Sequence, residues 1–269
     1  MQAEVISNKK AGPYNHIVFA VGEMAANSRP GNFVAISIGG EASSLILRRA
    51  FAIYRATDKG VMGGSIELVI APYGQGSKWL CSRNVGDFVD LVGPLGTSFG
   101  IPTTNANTML IGGGYGSAPL FALAEVLKNR GCRVDMVLGA STASKIYAPL
   151  EGKRSVSSLT LTTDDGSTGI HGQISEAIPR LLREFGTEVI YSCGPMGMLA
   201  AVAKIAEEFD ISHQCSVEEA MACGIGVCMT CVVPIKHEDG IKMVRTCIDG
   251  PVMDGSEIIW DRKSAMDML

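Results

Sequence analysis

The chain has 269 residues, 46% hydrophobic but only 6% aromatic, with 32 glycines and a formal net charge of −4. That length holds two or three compact modules, the mild negative charge gives no footprint for nucleic acid, and no apolar run approaches the roughly eighteen residues that a membrane span needs. Met1 to Lys10 lacks the apolar core of a secretory signal, so a cytoplasmic protein is expected.

The first hundred residues read as short strands. His16 to Val21, Phe33 to Ile38, Ala52 to Ala56, Ile66 to Pro72 and Asp87 to Val92 are β-prone runs separated by Gly, Pro and Asn. Such spacing predicts a small antiparallel barrel. A short helical signal opens at Ser77, and Gly93-Pro-Leu-Gly96 reads as a turn that ends the barrel.

After Pro102 the pattern changes to strands alternating with helices. Strands are expected over Thr108 to Ile111, Arg133 to Leu138, Leu159 to Thr163, Glu188 to Ser192 and His213 to Val217. Helices are expected over Ala118 to Asn129, Gln173 to Phe185 and Met196 to Phe209. Alternation of this kind means a parallel sheet covered on both faces. The last fifty residues show neither pattern beyond β-like Cys231 to Ile235 and Lys242 to Arg245. The expected division is residues 1–102 as a β-barrel, 103–218 as an α/β unit and 219–269 as a small C-terminal module.

That module holds Cys223-Gly-Ile-Gly-Val-Cys228-Met-Thr-Cys231 and, sixteen positions on, Cys247. C-x4-C-x2-C with a distant fourth cysteine is the plant-type spacing for a [2Fe–2S] cluster. Each of two irons needs two thiolates, so a loop carrying three of them must wrap tightly. Gly224 and Gly226 allow the positive φ angles of such a wrap and let N–H groups reach the sulfurs. Zinc is the rival, although it more often sits between two short Cys knuckles, and only one is present here. Disulfides do not suit a chain without a secretory segment. Cys81, Cys132 and Cys215 read as small apolar core residues.

Two further motifs sit where strands end. Gly112-Gly-Gly-Tyr-Gly-Ser-Ala-Pro119 links a strand to a helix, where glycine lets the backbone approach a diphosphate and the helix start favours its charge. Alone, this is equally a tight connection. Cys193-Gly-Pro-Met196 is a second such turn, and ligands collect at the carboxyl edge of open parallel sheets. Thr163-Asp-Asp-Gly-Ser167 occupies the same edge and competes as a plain Asp-Gly turn. None of the four histidines sits in a motif.

The order of barrel, Gly-Gly-Gly-x-Gly-x-x-Pro-Leu turn and Cys-Gly-Pro-Met turn resembles the ferredoxin–NADP reductase superfamily. Glu218-Glu219-Ala-Met-Ala-Cys-Gly-Ile-Gly-Val-Cys-Met-Thr-Cys231 and Cys247-Ile-Asp-Gly-Pro-Val252 narrow the likeness. They resemble the electron-transfer subunit of the two-subunit, NAD-dependent dihydroorotate dehydrogenase, over nearly the whole chain.

The resemblance implies FAD, a [2Fe–2S] cluster and NAD as cofactors. It implies FAD held by Arg49, Ala50, Phe51 and Ala52, with Val69, Ile70 and Ala71 along the flavin edge and Gly76 and Ser77 at the diphosphate. Arg49 would donate to the diphosphate and Ser77 would cap the helix facing it. Ala50 and Ala52 depart from the proline and hydroxyl residue of the family's Arg-Pro-x-Ser strand, which puts the flavin's redox tuning in question. NAD would lie on Gly112, Gly113, Gly114, Gly116 and Pro119, with Gly194, Pro195, Met196, Asp164 and Asp165 around it and Cys193 near the nicotinamide as the catalytic-site residue. The cluster ligands would be Cys223, Cys228, Cys231 and Cys247.

The implied partner is an FMN-containing dihydroorotate dehydrogenase catalytic subunit, in a two-plus-two heterotetramer. Electrons would pass from it through the cluster and FAD to NAD+, in pyrimidine biosynthesis. Two other readings stay open: a diaphorase-type subunit of a sulfhydrogenase or bifurcating transhydrogenase, and a non-redox module stabilised by zinc.

Overall fold

The computed structural model describes residues 1–40, 43–59 and 63–261. Its elements in chain order are β1 (Gln2–Ala11), β2 (Tyr14–Ala20), α1 (Met24–Asn27), β3 (Phe33–Ile36), β4 (Arg49–Ala52), β5 (Arg55–Thr57), β6 (Ser65–Ile70), α2 (Gln75–Cys81) and β7 (Phe88–Leu95). Then come β8 (Asn107–Gly113), α3 (Ala118–Asn129), β9 (Arg133–Ala140), α4 (Pro149–Ser155), β10 (Ser158–Thr163), β11 (Ile170–His171), α5 (Ile174–Phe185), β12 (Val189–Cys193), α6 (Met196–Glu208) and β13 (Ser212–Ser216). The chain closes with β14 (Val232–His237), β15 (Gly240–Arg245) and β16 (Val252–Asp254).

The first seven strands form one antiparallel barrel-like sheet in the order β4-β3-β7-β1-β2-β6-β5. Alternating side chains fill it: Ala3, Val5, Ile17, Phe19, Ile66, Leu68 and Leu91 are fully buried in one cluster. Each such Ile or Leu contributes about 1.5–3 kcal/mol of transfer free energy. Three sequence expectations change here. The run Ala52 to Ala56 is not one strand; buried Ile53 and Tyr54 separate β4 from β5. Tyr54 leaves the barrel because its ring packs against Phe121 and Tyr147 and its hydroxyl bonds Glu151. Gly93-Pro-Leu is not a turn but the end of β7, with Leu95 opposite Phe33. Strand β1 is an N-terminal strand that the sequence pattern does not announce, with Ala3 and Val5 inward as period-two positions.

The second sheet runs β11-β10-β9-β8-β12-β13 in parallel, as alternation predicts, and adds β16 antiparallel at its edge. Residues of β8 and β9 split by parity between its faces. Leu110, Val134, Met136 and Leu138 pack with α3 and with barrel residues Tyr14 and Tyr54, while Met109, Ile111 and Val137 meet α5 and α6. The barrel therefore docks on the α3 face. Arg55 fixes that junction by pairing with Glu125 at 2.7 Å and Glu151 at 2.8 Å. Hairpin β14–β15 stands apart, but β16 ties the C-terminal segment into the parallel sheet. No helix among the described residues is long and apolar enough to cross a membrane.

Candidate functional site

Three neighbouring features meet where barrel, parallel sheet and cysteine loop converge. The first is a cavity of about 500 Å³ lined by Arg49, Ala50, Phe51, Ala52 and Val69 on the barrel side and Tyr115, Gly116, Pro119 and Cys193 on the other. All four residues of β4 border it; Ala50 and Ala52 are the exposed ones, with no hydroxyl at either place. An adjoining hollow of about 380 Å³ shares Arg49, Ala50 and Phe51 and ends on Gly74, Gln75, Gly76 and Ser77. The pair fits a long, bent cofactor with a flat ring at one end and a diphosphate at the other. Val69 reaches the cavity, but Ile70 and Ala71 do not line it; both belong to packed cores.

Arg48 and Arg49 have different duties. The Arg48 guanidinium donates to the Asp90 carboxylate and to the Asp90 carbonyl at 3.0 Å, so it is committed to the barrel. Arg49 donates through one nitrogen, to Leu47 O at 2.8 Å and Arg48 O at 3.3 Å. Its remaining N–H groups are oriented by that anchor. Gly76 makes room for it: a Cβ there would lie 3.5 Å from Arg49 Nε and 3.2 Å from Ile38 Cγ2. The helix beside it starts at Gln75 with Gly74 as N-cap, so Ser77 is not the cap. Its hydroxyl accepts instead from the Gly74 N–H at 3.1 Å, the inward half of a capping box.

The second feature is a cavity of about 420 Å³ at the carboxyl edge of the parallel sheet, lined by Gly113, Gly114, Gly116, Asp164, Gly194 and Pro195 among others. The two glycine turns touch backbone to backbone. A Cβ on Gly116 would sit 2.8 Å from Gly194 Cα, and one on Gly112 would sit 2.5 Å from Ser117 Cβ. Gly112 thus closes the turn from beneath rather than lining the cavity. Asp165 folds back on its own turn, accepting from Ser167 N–H at 3.0 Å and Oγ at 2.6 Å, bonds that hold its carboxyl below the usual range. Met196 lines a separate hollow with Val233 and Trp260. Burial pushes the Cys193 thiol up to about 12, so it is neutral at neutral pH. In that form it is a compact wall of the first cavity, not a nucleophile.

Tyr115, Gly116, Gly194 and Glu218 line both cavities. The Tyr115 hydroxyl donates to Glu218 Oε1 at 3.5 Å, and burial pushes its pKa up to about 12. Glu218 was visible in sequence only as a neighbour of the cysteines, and Tyr115 only as the odd residue of a glycine turn. Lys145, which also faces the second cavity, carries no sequence signal.

The third feature is the cysteine loop. Gly224 and Gly226 take φ of 71° and 80°, the left-handed angles that the wrap requires. The Ile225 and Val227 N–H groups donate to Cys223 Sγ at 3.5 and 3.4 Å and hold that thiol below its ordinary pKa. Bonds led by the Thr230 hydroxyl lower Cys228 to about 6. Such thiols ionise readily, as metal ligands must. The four pair off, Cys223 with Cys228 and Cys231 with Cys247. Among the described residues no three His, Cys, Asp or Glu side chains gather as a set for one ion. Cys231 and Cys247 are 2% and 1% exposed and pack on Phe33, which also lines the flavin-sized cavity. Cys228 is exposed.

The model for the iron-sulfur cluster binding domain of dihydroorotate dehydrogenase B matches residues 218–259. The "Dihydroorotate dehydrogenase B (NAD(+)), electron transfer subunit" of Desulforamulus reducens is 31% identical over 96% of this chain and 98% of its own length. That of Streptococcus mutans is 33% identical, over 96% of this chain and 97% of its own.

This chain belongs to the dihydroorotate dehydrogenase B electron transfer subunit family.

Among solved structures, a chain of the NADH-dependent reduced ferredoxin-NADP oxidoreductase is 29% identical, with a TM-score of 0.83 over 97% of this chain and 90% of that one. A ferredoxin reductase of carbazole 1,9a-dioxygenase is 25% identical with a TM-score of 0.65, over 78% of this chain and 66% of that one. This chain thus shares its barrel and parallel-sheet architecture with these two ferredoxin-linked reductases.

Proposed function

We propose that this chain is the electron-transfer subunit that takes electrons from a dihydroorotate dehydrogenase catalytic subunit and delivers them to NAD+ in pyrimidine biosynthesis, with a [2Fe–2S] cluster and FAD as its carriers. The observation that carries the reading is the convergence of three sites: the thiol pairs, the flavin-sized cavity and the nucleotide cavity, joined by Phe33, Tyr115 and Glu218. When bound, a cluster exchanges single electrons and a flavin converts between single electrons and a hydride.

The residues have assigned tasks in this reading. Arg49 and the Gly76–Ser77 helix start hold the FAD diphosphate, and Ala50, Ala52 and Val69 face its ring. Cys193, Gly194 and Gly116 form the far wall and bring the nicotinamide against it. Cys223, Cys228, Cys231 and Cys247 hold the iron. The 1–102, 103–218 and 219–269 division follows these three tasks, with β16 as a strap across the last boundary.

The partner would dock over the cysteine loop. Around exposed Cys228 stand Ile225, Val227, Met229 and Ile248, at 54%, 76%, 52% and 41% exposure. An apolar patch beside an exposed ligand suits a protein interface. A two-plus-two complex in the cytoplasm is the expected assembly.

NAD(H) is the expected nucleotide. Asp164 stands at the cavity rim at the end of β10. Its carboxylate repels a 2′-phosphate and can accept from free ribose hydroxyls. Solvent screening holds the repulsion to about 1 kcal/mol, a roughly fivefold to tenfold preference. The check is diaphorase activity with an artificial acceptor, so that no partner is needed. NADH should have the higher kcat/KM, and Asp164→Ser should narrow the gap. Equal or better use of NADPH by the unmodified protein contradicts the assignment.

A further inference from the structure

We propose that Lys145 is the cation that grips the diphosphate of the bound nicotinamide nucleotide. The inference rests on reading the 420 Å³ cavity as the nucleotide site. Apart from its tyrosines, that cavity presents Lys145, Asp164 and Glu218 as ionisable side chains. Two anions and one cation make a poor receptor for a doubly charged diphosphate unless the cation is placed against it.

The glycine turn itself offers few backbone donors. The segment Gly114–Ser117 is a single 3-10 turn, and the Ser117 hydroxyl points inward to Gly114 O at 2.8 Å. Helix α3 then begins with Pro119 in its first turn, where an N–H is missing. The α3 start is therefore short of donors, and the starts of α5 at Ile174 and Ser175 and of α6 at Gly197, which also line the cavity, bring N–H groups but no full charge.

Lys145 lines the same cavity as this turn, and its backbone is fixed from three sides. Its N–H donates to Thr142 O at 3.0 Å, and its carbonyl accepts from the buried Tyr14 hydroxyl at 2.8 Å. The turn before it is pinned by the Ala143 N–H on Ser167 Oγ at 2.8 Å, and Ser167 is itself held by Asp165. Asp165 thus shapes the rim instead of touching the ligand. The Lys145 ammonium donates to Ser141 Oγ at 3.0 Å and makes no ion pair among the described residues. An ammonium has three N–H donors, so two remain for phosphate oxygens.

The experiment uses the full chain with FAD and cluster bound, comparing Lys145→Gln and Lys145→Arg with the unmodified protein. Direct binding of NAD+ and steady-state oxidation of NADH are both read. Loss of one charge-assisted contact at an exposed site should weaken NAD+ binding and raise KM for NADH about tenfold. kcat, FAD content and iron content should stay unchanged. Arg should restore most of the affinity, and the difference between Lys and Gln should shrink at high salt. NAD+ affinity unchanged in Lys145→Gln, while the unmodified protein binds NAD+, would overturn the proposal and leave the cavity's assignment intact. A loss confined to NADPH would also overturn it, by moving Lys145 to a 2′-phosphate site. No NAD+ binding by the unmodified protein would overturn the nucleotide reading itself, and the proposal with it.

Discussion

Replacing Cys231 or Cys247 by serine is expected to abolish the cluster and destabilise the C-terminal module. A serine hydroxyl stays protonated where a thiolate is needed, so an iron loses one of its two protein ligands. These two positions are the buried pair, and they pack on Phe33 and Leu95. A hydroxyl placed there without a hydrogen-bond acceptor costs about 1–3 kcal/mol before any loss of metal binding is counted. The module has little core of its own, so metal binding is part of its folding free energy. The corresponding change at Cys228, which is exposed, should bleach the cluster with a smaller structural penalty. All three variants should keep FAD, because the hollow at Arg49 and Gly74 to Ser77 that would hold its diphosphate has no residue of the cysteine loop in its lining. Iron content, visible absorption and thermal unfolding are the measurements. Stoichiometric zinc without iron in the unmodified protein would contradict the assignment.

Arg49→Ala is expected to lower FAD affinity about tenfold to a hundredfold, the loss of one charge-assisted hydrogen bond at 1.5–3 kcal/mol. Arg48→Ala is the control. It breaks the pair with Asp90 inside the barrel, so it should lower stability and leave FAD retention near that of the unmodified protein. The cluster should survive both changes. Retention of FAD after dilution, read by flavin absorbance, separates the two arginines; equal retention would remove Arg49 from the site.

Much of this arrangement was legible in the residues. Alternation of period two and of strand with helix located most strands and all three long helices, because core-facing positions repeat. Helix α3 falls on its expected bounds, opened by Pro119 in its first turn. What the pattern could not show was tertiary. Tyr54 breaks a β-prone run because its ring serves the junction with α3 and α4, a contact 97 residues away for its hydroxyl. Strand β16 is three residues long and gains its place only by pairing with β13.

The site followed the same division. Glycines and cysteines could be found because their spacing is dictated by local geometry. Ile70 and Gly112 lie in the right segments but turn away from the cavities, since each adjoins a strand residue, Val69 or Gly113, that lines one and adjacent residues point to opposite faces; Ala71, past the end of β6, is packed in the core beside Val69. Lys145, Tyr115 and Glu218 come together only through folding, and no spacing announces them.

The most direct test of the whole reading is dihydroorotate-driven reduction of NAD+ by this chain, loaded with FAD and iron, combined with the FMN-containing catalytic subunit of its host. The account predicts NADH formation that requires both proteins and disappears with Cys231→Ser. If the pair forms no NADH although the catalytic subunit oxidises dihydroorotate with an artificial acceptor, the assignment of this chain as the link to NAD+ is wrong.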